Sequence, residues 1–354
     1  MRADELAELV EAAEAGDPAA MVDLAGHYVE ADALGEAELW WRRASEQGQP
    51  NALFNLGLLR GRQGQSDEAE SLLRQAAEAG HGAAMAILAR ICQDAGRDDE
   101  AAQWMHSAAD HGHPDSAYML GQEYRARGDN DAAEKYYLLA IENGYDDLGC
   151  AIRNLGLLFE EEGRVDLAEQ LYRAGAEEGV TMVMLDLGVT LAESGRMDEA
   201  EEWLRKGVEA AEPGCMNTLG SVLAQTDRLS EAANWWRRAA NAGEPTAIVT
   251  YGNILELTNQ VFEAERLYRR GLATEHPRVV EALATLLANT DRGGEAAQLR
   301  QQAADGALDV VPSDEQIPPA AAGAVATFAG AASGDDFAVM VATRPEAVAG
   351  GRGR

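Results

Sequence analysis

The chain has 354 residues, with 61 acidic against 29 basic side chains, a formal charge of −32 and a pI near 4.4. A field of that sign repels polyanions and anionic lipid surfaces, which excludes charge-driven nucleic-acid or membrane binding and points to polypeptide partners. Apolar residues make up 46 %, enough for buried cores, whereas 36 glycines suit a helical protein only if each has a fixed position.

Residues 1–16 read as a lone amphipathic helix, in which Ala12 and Ala13 align with Ala76 and Ala77 further on. The segment has no uninterrupted apolar run of the kind a secretory signal needs, so the expected compartment is the cytoplasm. Cys92, Cys150 and Cys215 are widely separated and form no CxxC pair, which argues against a disulfide framework or a structural zinc.

From residue 17 onward the sequence matches itself at a shift of 32 residues. Ala37, Ala69, Ala101, Ala133, Ala168, Ala200, Ala232, Ala264 and Ala296 share one column, with a single step of 35. Twelve residues upstream of each stands Ala25, Gly57, Ala89, Gly121, Gly156, Gly188, Gly220, Gly252 or Ala284, a column limited to the two smallest side chains. Two backbones are expected to approach closely there. The residue before each is leucine, or Tyr251 in the eighth unit, which marks a core position.

Inside a unit the apolar spacing is helical. In the seventh, Leu219, Val222 and Leu223 form one stripe, and Ala232, Trp235, Trp236, Ala239 and Ala240 form a second. Each unit is therefore two amphipathic helices, A and B. Between them lie Asp32, Gly64, Gly96, Gly128, Gly163, Gly195, Asp227, Asn259 and Asp291, residue types that tolerate a left-handed backbone. Helix B is expected to start on a side-chain cap at Asp67, Asp99, Asp131, Asp166, Asp198 or Ser230, with no such signal at Phe262. It ends at Gly16, Gly48, Gly80, Gly112, Gly144, Gly179 or Gly243, with Ala211 and Glu275 as departures. The aromatic residues Trp40, Trp41, Trp104, Tyr136, Tyr137, Tyr172, Trp203, Trp235, Trp236 and Tyr268 occupy two inward columns of helix B and read as core.

Nine full units fill residues 17–306. Each helix pair leaves an apolar face that only a neighbouring pair can cover, so the expected fold class is all-α, an α/α superhelical solenoid of helix-turn-helix repeats. The step of 35 places about three extra residues near Asp147, Leu148 and Gly149, lengthening one interhelical turn. After Gly306, Pro312, Pro318 and Pro319 break the pattern, and the Ala/Gly/Pro-rich residues 307–354 read as a disordered tail, with a weak docked helix at 320–332 as a way to cap the last B helix.

The order Leu56, Gly57, Ala69, Leu73, Ala76 resembles the tetratricopeptide repeat. The segments from Trp40 to Gly48 and from Trp235 to Gly243 resemble the related Sel1-like repeat. The likeness covers about residues 5–306, with a unit of 32 residues where the first family usually has 34. It implies a non-enzymatic scaffold whose groove, lined by A helices, holds a peptide or a partner domain.

No chemistry competes with that reading. His111, Gly112 and His113 with Asp110 and His106 invite a metal, but His81 and His113 share a column at the turn between units and read as turn residues. Glu160, Glu161 and Glu162 read as a solvated acidic face. Neither a nucleophile motif nor a phosphate loop is present, so no catalytic residue, metal or cofactor is expected. Carrying over the family's inward-facing A-helix positions puts Phe54, Leu58, Arg62, Arg90, Tyr118, Gln122, Arg125, Arg153, Val189, Asn217, Ser221 and Asn253 on the inner surface. Four of these are arginines, suited to a carboxylate or an acidic peptide. The alternative is a regulatory or sensor subunit whose solenoid responds to a small ligand or peptide.

Overall fold

The computed structural model describes residues 3–308, and among them it contains nineteen α-helices, one 3-10 turn and no strand. Contacts divide the chain after Glu162 into two compact units. The first holds α1 (Ala3–Glu14), α2 (Pro18–Glu30), α3 (Leu34–Ser45), α4 (Pro50–Arg62), α5 (Ser66–Glu78), α6 (Gly82–Asp94), α7 (Asp98–Asp110), α8 (Pro114–Arg127), α9 (Asn130–Glu142) and α10 (Leu148–Glu161). The second holds α11 (Val165–Glu177), α12 (Met182–Glu193), α13 (Met197–Glu209), α14 (Pro213–Gln225), α15 (Leu229–Asn241), α16 (Pro245–Leu257), α17 (Val261–Gly271), the 3-10 turn Leu272–Thr274, α18 (Pro277–Asn289) and α19 (Gly293–Ala304). Within each unit every helix packs on the next in the chain, the arrangement of a helical solenoid. The segment 320–332 lies outside the described residues.

Side-chain size sets the packing. All nine residues of the leucine column are buried, and so is the alanine column except for half-buried Ala101. At the glycine column the close approach is not between two backbones, as the small side chains suggested. Instead, at Gly57, Gly121, Gly188, Gly220 and Gly252, the residue four past the alanine lays its side chain on the glycine. A Cβ on Gly121 would lie 2.6 Å from Tyr137 Cδ1, one on Gly220 2.6 Å from Trp236 Nε1, and one on Gly252 2.2 Å from Tyr268 Cε1. Glycine is there to admit a large side chain from helix B, a ring at these three and a leucine at Gly57 and Gly188.

The turns follow backbone geometry more than residue type. Asp32, Asp227, Asn259 and Asp291 have positive φ, as do the glycines of that column. The two departures at the end of helix B, Ala211 at φ 62° and Glu275 at φ 52°, adopt the same left-handed conformation that glycine adopts elsewhere. The chain makes the same turn there and accepts the strain of a Cβ.

Helix B starts earlier than the aspartates indicated. The residues flanking the first turn are Gln65, Arg97, Asp129, Arg164, Arg196 and Arg228, and among these only Asp129 caps with its side chain, accepting from the Ala132 amide at 3.2 Å. Asp67, Asp99, Asp131, Asp166 and Asp198 sit inside the first turn, where a carboxylate complements the helix dipole without capping it. Side-chain caps belong instead to A helices, at Asp17, His81, His113, Asp147, Glu244 and His276.

The arginines ahead of helix B do something else. Arg97 joins Glu70, Arg74 and Glu100 in a closed ring of four charges, with ion-pair distances of 2.8–3.0 Å. Glu70 and Arg74 belong to α5, while Glu100 is on α7, so the ring ties one B helix to the next. The same ring recurs as Glu169, Arg173, Arg196 and Glu199, then as Glu201, Arg205, Arg228 and Glu231, and again as Glu265, Arg269, Arg292 and Glu295. At the first junction Gln65 replaces the arginine, and Arg60 from α4 takes its place, bonding Glu38 at 2.8 Å and Glu68 at 3.0 Å with its side chain only 6 % exposed. Between α7 and α9 the ring is absent; His106, Tyr124 and Tyr136 fill the junction, with His106 Nε2 2.8 Å from the Tyr124 hydroxyl and the two tyrosine rings stacked at 5.5 Å.

These rings shift the titration of their members. Hydrogen bonds from Arg74 and Trp104 hold the Glu100 carboxyl down to about 2. Burial works against ionisation at Glu169 and Glu201, yet paired guanidinium donors bring both below the usual carboxylate range. At the far end, α19 exposes Gln298 and Gln301, and Arg300 pairs with Glu281 at 2.5 Å in the place where other units put a large apolar side chain. The last helix thus presents a polar outer surface of its own.

Candidate functional site

On α8, Tyr118, Gln122 and Arg125 are spaced by four and three residues and so share one stripe of the helix. The structure joins all three into a network with α10. Asn154 Nδ2 donates to the Tyr118 hydroxyl at 2.8 Å and Gln122 Nε2 donates to it at 3.1 Å. Arg125 Nη1 reaches Asn154 Oδ1 at 3.4 Å, and its Nη2 donates to Glu161 at 2.6 Å. The Tyr118 ring stacks on Tyr145 with centroids 4.4 Å apart and planes 18° from parallel. Burial pushes the Tyr118 hydroxyl up to about 12, so it remains a neutral donor and acceptor across the physiological range.

Tyr145 directly follows Gly144, in the repeat column of His81 and His113, and its stack on Tyr118 repeats that of Phe54 on His81. The α9–α10 link runs over residues 143–147, five residues against the three of residues 79–81 between α5 and α6; α10 is also one residue longer than most A helices. The extra residues therefore lie after Tyr145, ahead of Leu148 as well as within the helix. Asp147 closes the turn by capping α10 through the Cys150 amide at 3.1 Å.

The remaining expected residues are distributed differently. Phe54 on α4 is half-buried and stacks on His81 at 4.3 Å, so its ring is already engaged. Leu58 and Val189 are half-buried. Arg62 on α4 and Arg90 on α6 are exposed, and neither makes an ion pair among the described residues. Arg153 on α10 is half-buried and engaged. In the second unit, the Asn217 carboxamide oxygen on α14 is buried without a hydrogen-bond partner, while Ser221 turns its hydroxyl to the Asn217 carbonyl at 3.3 Å. On α16 Asn253 lies 2.9 Å from the Tyr268 hydroxyl, which also meets Glu256 at 2.8 Å. Burial raises the Glu256 carboxyl.

Three members of the α8–α10 network were not foreseen: Tyr145, Asn154 and Glu161. Asn154 falls between the columns carried over from the family, and Glu161 is one of the acids read as solvated. No group of three His, Cys, Asp or Glu residues among the described residues is arranged to hold a metal ion. His81 and His113 are helix caps, each accepting a backbone amide at Nδ1.

Residues 54–117 and 118–179 match one tetratricopeptide repeat model, and residues 180–212 match another. The matched segments are contiguous, and the same size columns and helix pairs continue on both sides of them. The chain belongs to the tetratricopeptide repeat superfamily.

No curated protein matches the chain. Among solved structures, it is similar to pilF of Pseudomonas aeruginosa, at 20 % identity over 55 % of this chain and 91 % of that one, with a TM-score of 0.42. It is also similar to a tetratricopeptide repeat protein from Parabacteroides merdae, at 17 % identity over 63 % and 91 % of the two chains with a TM-score of 0.31. A third likeness is to YrrB, described as a tetratricopeptide repeat protein with an unusual peptide-binding site, at 21 % identity over 48 % and 91 % with a TM-score of 0.32. Among the described residues no helix is long and apolar enough to cross a membrane.

Proposed function

We propose that this chain is a non-enzymatic interaction scaffold of the cytoplasm that holds an acidic, extended peptide or a partner segment along the A-helix face of its first unit. The observation that carries the reading is the state of Arg62 and Arg90. In a chain of net charge −32, the four charge rings neutralise eight arginines on and just ahead of the B helices, while these two stand exposed on consecutive A helices with no carboxylate partner among the described residues. An uncompensated guanidinium on an acidic protein draws anionic groups and offers a planar fork for carboxylates. The Tyr118, Gln122 and Asn154 amide and hydroxyl groups continue the same kind of surface with neutral hydrogen-bonding groups. Nucleic acid and lipid are disfavoured as partners by the overall field.

The test is affinity capture with the full chain and with the R62E/R90E double variant, read by quantitative mass spectrometry. Partners bound by the parent chain and depleted at least tenfold by the variant, with acidic segments that cross-link to α4 or α6, support the reading. Equal recovery by both chains refutes it.

A further inference from the structure

Two consecutive A helices in the first unit begin on histidine, and a third does so in the second unit. His81 Nδ1 accepts the Ala84 amide at 3.2 Å at the start of α6, and His113 Nδ1 accepts the Ser116 amide at 3.2 Å at the start of α8. His276 Nδ1 accepts the Arg278 amide at 3.2 Å ahead of α18. The other side-chain caps of A helices, at Asp17, Asp147 and Glu244, are carboxylates, whose oxygens accept amides without needing a particular tautomer.

A histidine can fill this position only in one form. Nδ1 must be unprotonated to accept, so the neutral ring carries its proton on Nε2. The next proton can enter only at Nδ1, the atom that holds the cap. Protonation there removes an acceptor and sets a cation against the positive end of a helix. At His113 the Ser116 hydroxyl, 3.0 Å from Nδ1, is placed to take up the new N–H but carries no charge to offset it. Phe54 from α4 stacks on His81. In the following turn, His111 lies against Gly80, and the His111 carbonyl and His113 Cβ lie against the position a Gly82 Cβ would take. Asp115 is 4.0 Å from His113 Nε2, and Tyr145 in the turn beyond faces Asp115. Burial lowers the titration of both His81 and His113, with a partial offset at His81 from a hydrogen bond to its own backbone, a further push there from His113, and a partial offset at His113 from Asp115.

We propose that His81 and His113 are acid-sensitive latches: protonation at Nδ1 uncaps α6 and α8, so that their first turns open below neutral pH while A helices capped by Asp17 or Asp147 stay closed. The sign follows from linkage. A ring whose titration is lowered in the closed form takes up its proton more readily when the turn is open, so closure is complete above about pH 6.5 and is lost as pH falls below it. If the closed form stays neutral, each histidine favours the open turn by about tenfold at pH 5.5 relative to neutral pH.

Amide hydrogen exchange of the full chain at pH 7.5 and 5.5, corrected for the intrinsic pH dependence of exchange, tests this directly. The expected result is an approximately tenfold loss of protection at the first turns of α6 and α8 at pH 5.5, with α2 and α10 unchanged. The H81N/H113N variant, whose caps do not titrate, should keep its protection at both pH values. Acid-induced loss spread evenly over all A helices, or persisting in that variant, overturns the proposal. Ring ¹⁵N shifts of the unmodified chain at pH 7.5 give a second check that needs no variant: the proton must be on Nε2 in both residues, and an Nδ1–H form in either rules it out.

Discussion

The substitution of glycine by alanine should have opposite signs at two helical positions of this chain. Gly26 lies in the interior of α2, exposed, with no heavy atom within 4 Å of where a Cβ would stand. Gly252 lies inside α16, where a Cβ would come within 2.2 Å of Tyr268 Cε1 and 2.5 Å of its hydroxyl oxygen. Alanine removes backbone freedom from the unfolded chain at both sites and favours the helix by about 1 kcal/mol. At Gly26 nothing opposes that gain, so Gly26→Ala should stabilise by up to ~1 kcal/mol. At Gly252 the ring that must yield is fully buried and tied by its hydroxyl to Asn253 and Glu256. Overpacking of this kind costs about 1–3 kcal/mol, which meets or exceeds the propensity gain, and the loss of the tyrosine's hydrogen bonds adds about 1 kcal/mol more. Gly252→Ala should therefore destabilise by roughly 1–3 kcal/mol net. Because repeat arrays depart from two-state unfolding, the readout is residue-level amide exchange in α2–α3 and α16–α17, supported by melting curves. A stabilised Gly252→Ala chain would show that the ring does not rest on the glycine column, and the packing argument would fail with it.

Removing the large ring from the other side of the same contact is more costly: Trp236→Ala should lose roughly 3–5 kcal/mol, seen as a lowered melting transition. Glu201→Ala leaves Arg205 and Arg228 with only Glu231 between them, and a double-variant cycle with Arg228→Ala should recover part of a loss of about 1 kcal/mol. The ring carboxylates, with Glu100 near 2 and Glu169, Glu199, Glu201 and Glu295 also below the ordinary range, contribute stability that is complete above about pH 4.5. Thermal melting should fall as pH drops from 4.5 toward 2, and a flat profile over that window would contradict the rings. Burial raises the Cys92 thiol and pushes Cys150 up to about 11, so both should react slowly with a disulfide reagent at pH 8 in the native chain and rapidly after denaturation.

The helix pairs were legible because size recurs in fixed columns: leucine, then glycine or alanine, then an alanine twelve residues on. Residue type announced left-handed turns at Asp32 and Asn259, but it could not announce Ala211 and Glu275, where the turn persists without a favourable residue. The starts of the B helices were misplaced because aspartate inside a first turn and aspartate at a cap look alike in sequence; only the backbone separates Asp67 from Asp129. The charge rings were present in the register all along, as arginine four before the alanine, glutamate on either side of it and arginine five after. Taken one helix at a time these residues look solvated, since the closure of each ring depends on the spacing between neighbouring B helices. The α8 stripe of Tyr118, Gln122 and Arg125 could be read from helical spacing, whereas Tyr145 was missed although it stands in the column of His81 and His113, because that column reads as turn residues and only the structure shows its rings stacking on the A helix.

The interruption of the rings between α7 and α9 has a mechanical meaning. Ionic closures are weakened by salt, whereas that junction has one exposed ion pair, Lys135 with Asp110 at 3.1 Å, beside the interlocked His106, Tyr124 and Tyr136, which hold by contact and a short hydrogen bond between rings. Raising ionic strength should therefore loosen the four-charge seam between α5 and α7 more than the aromatic seam that follows it.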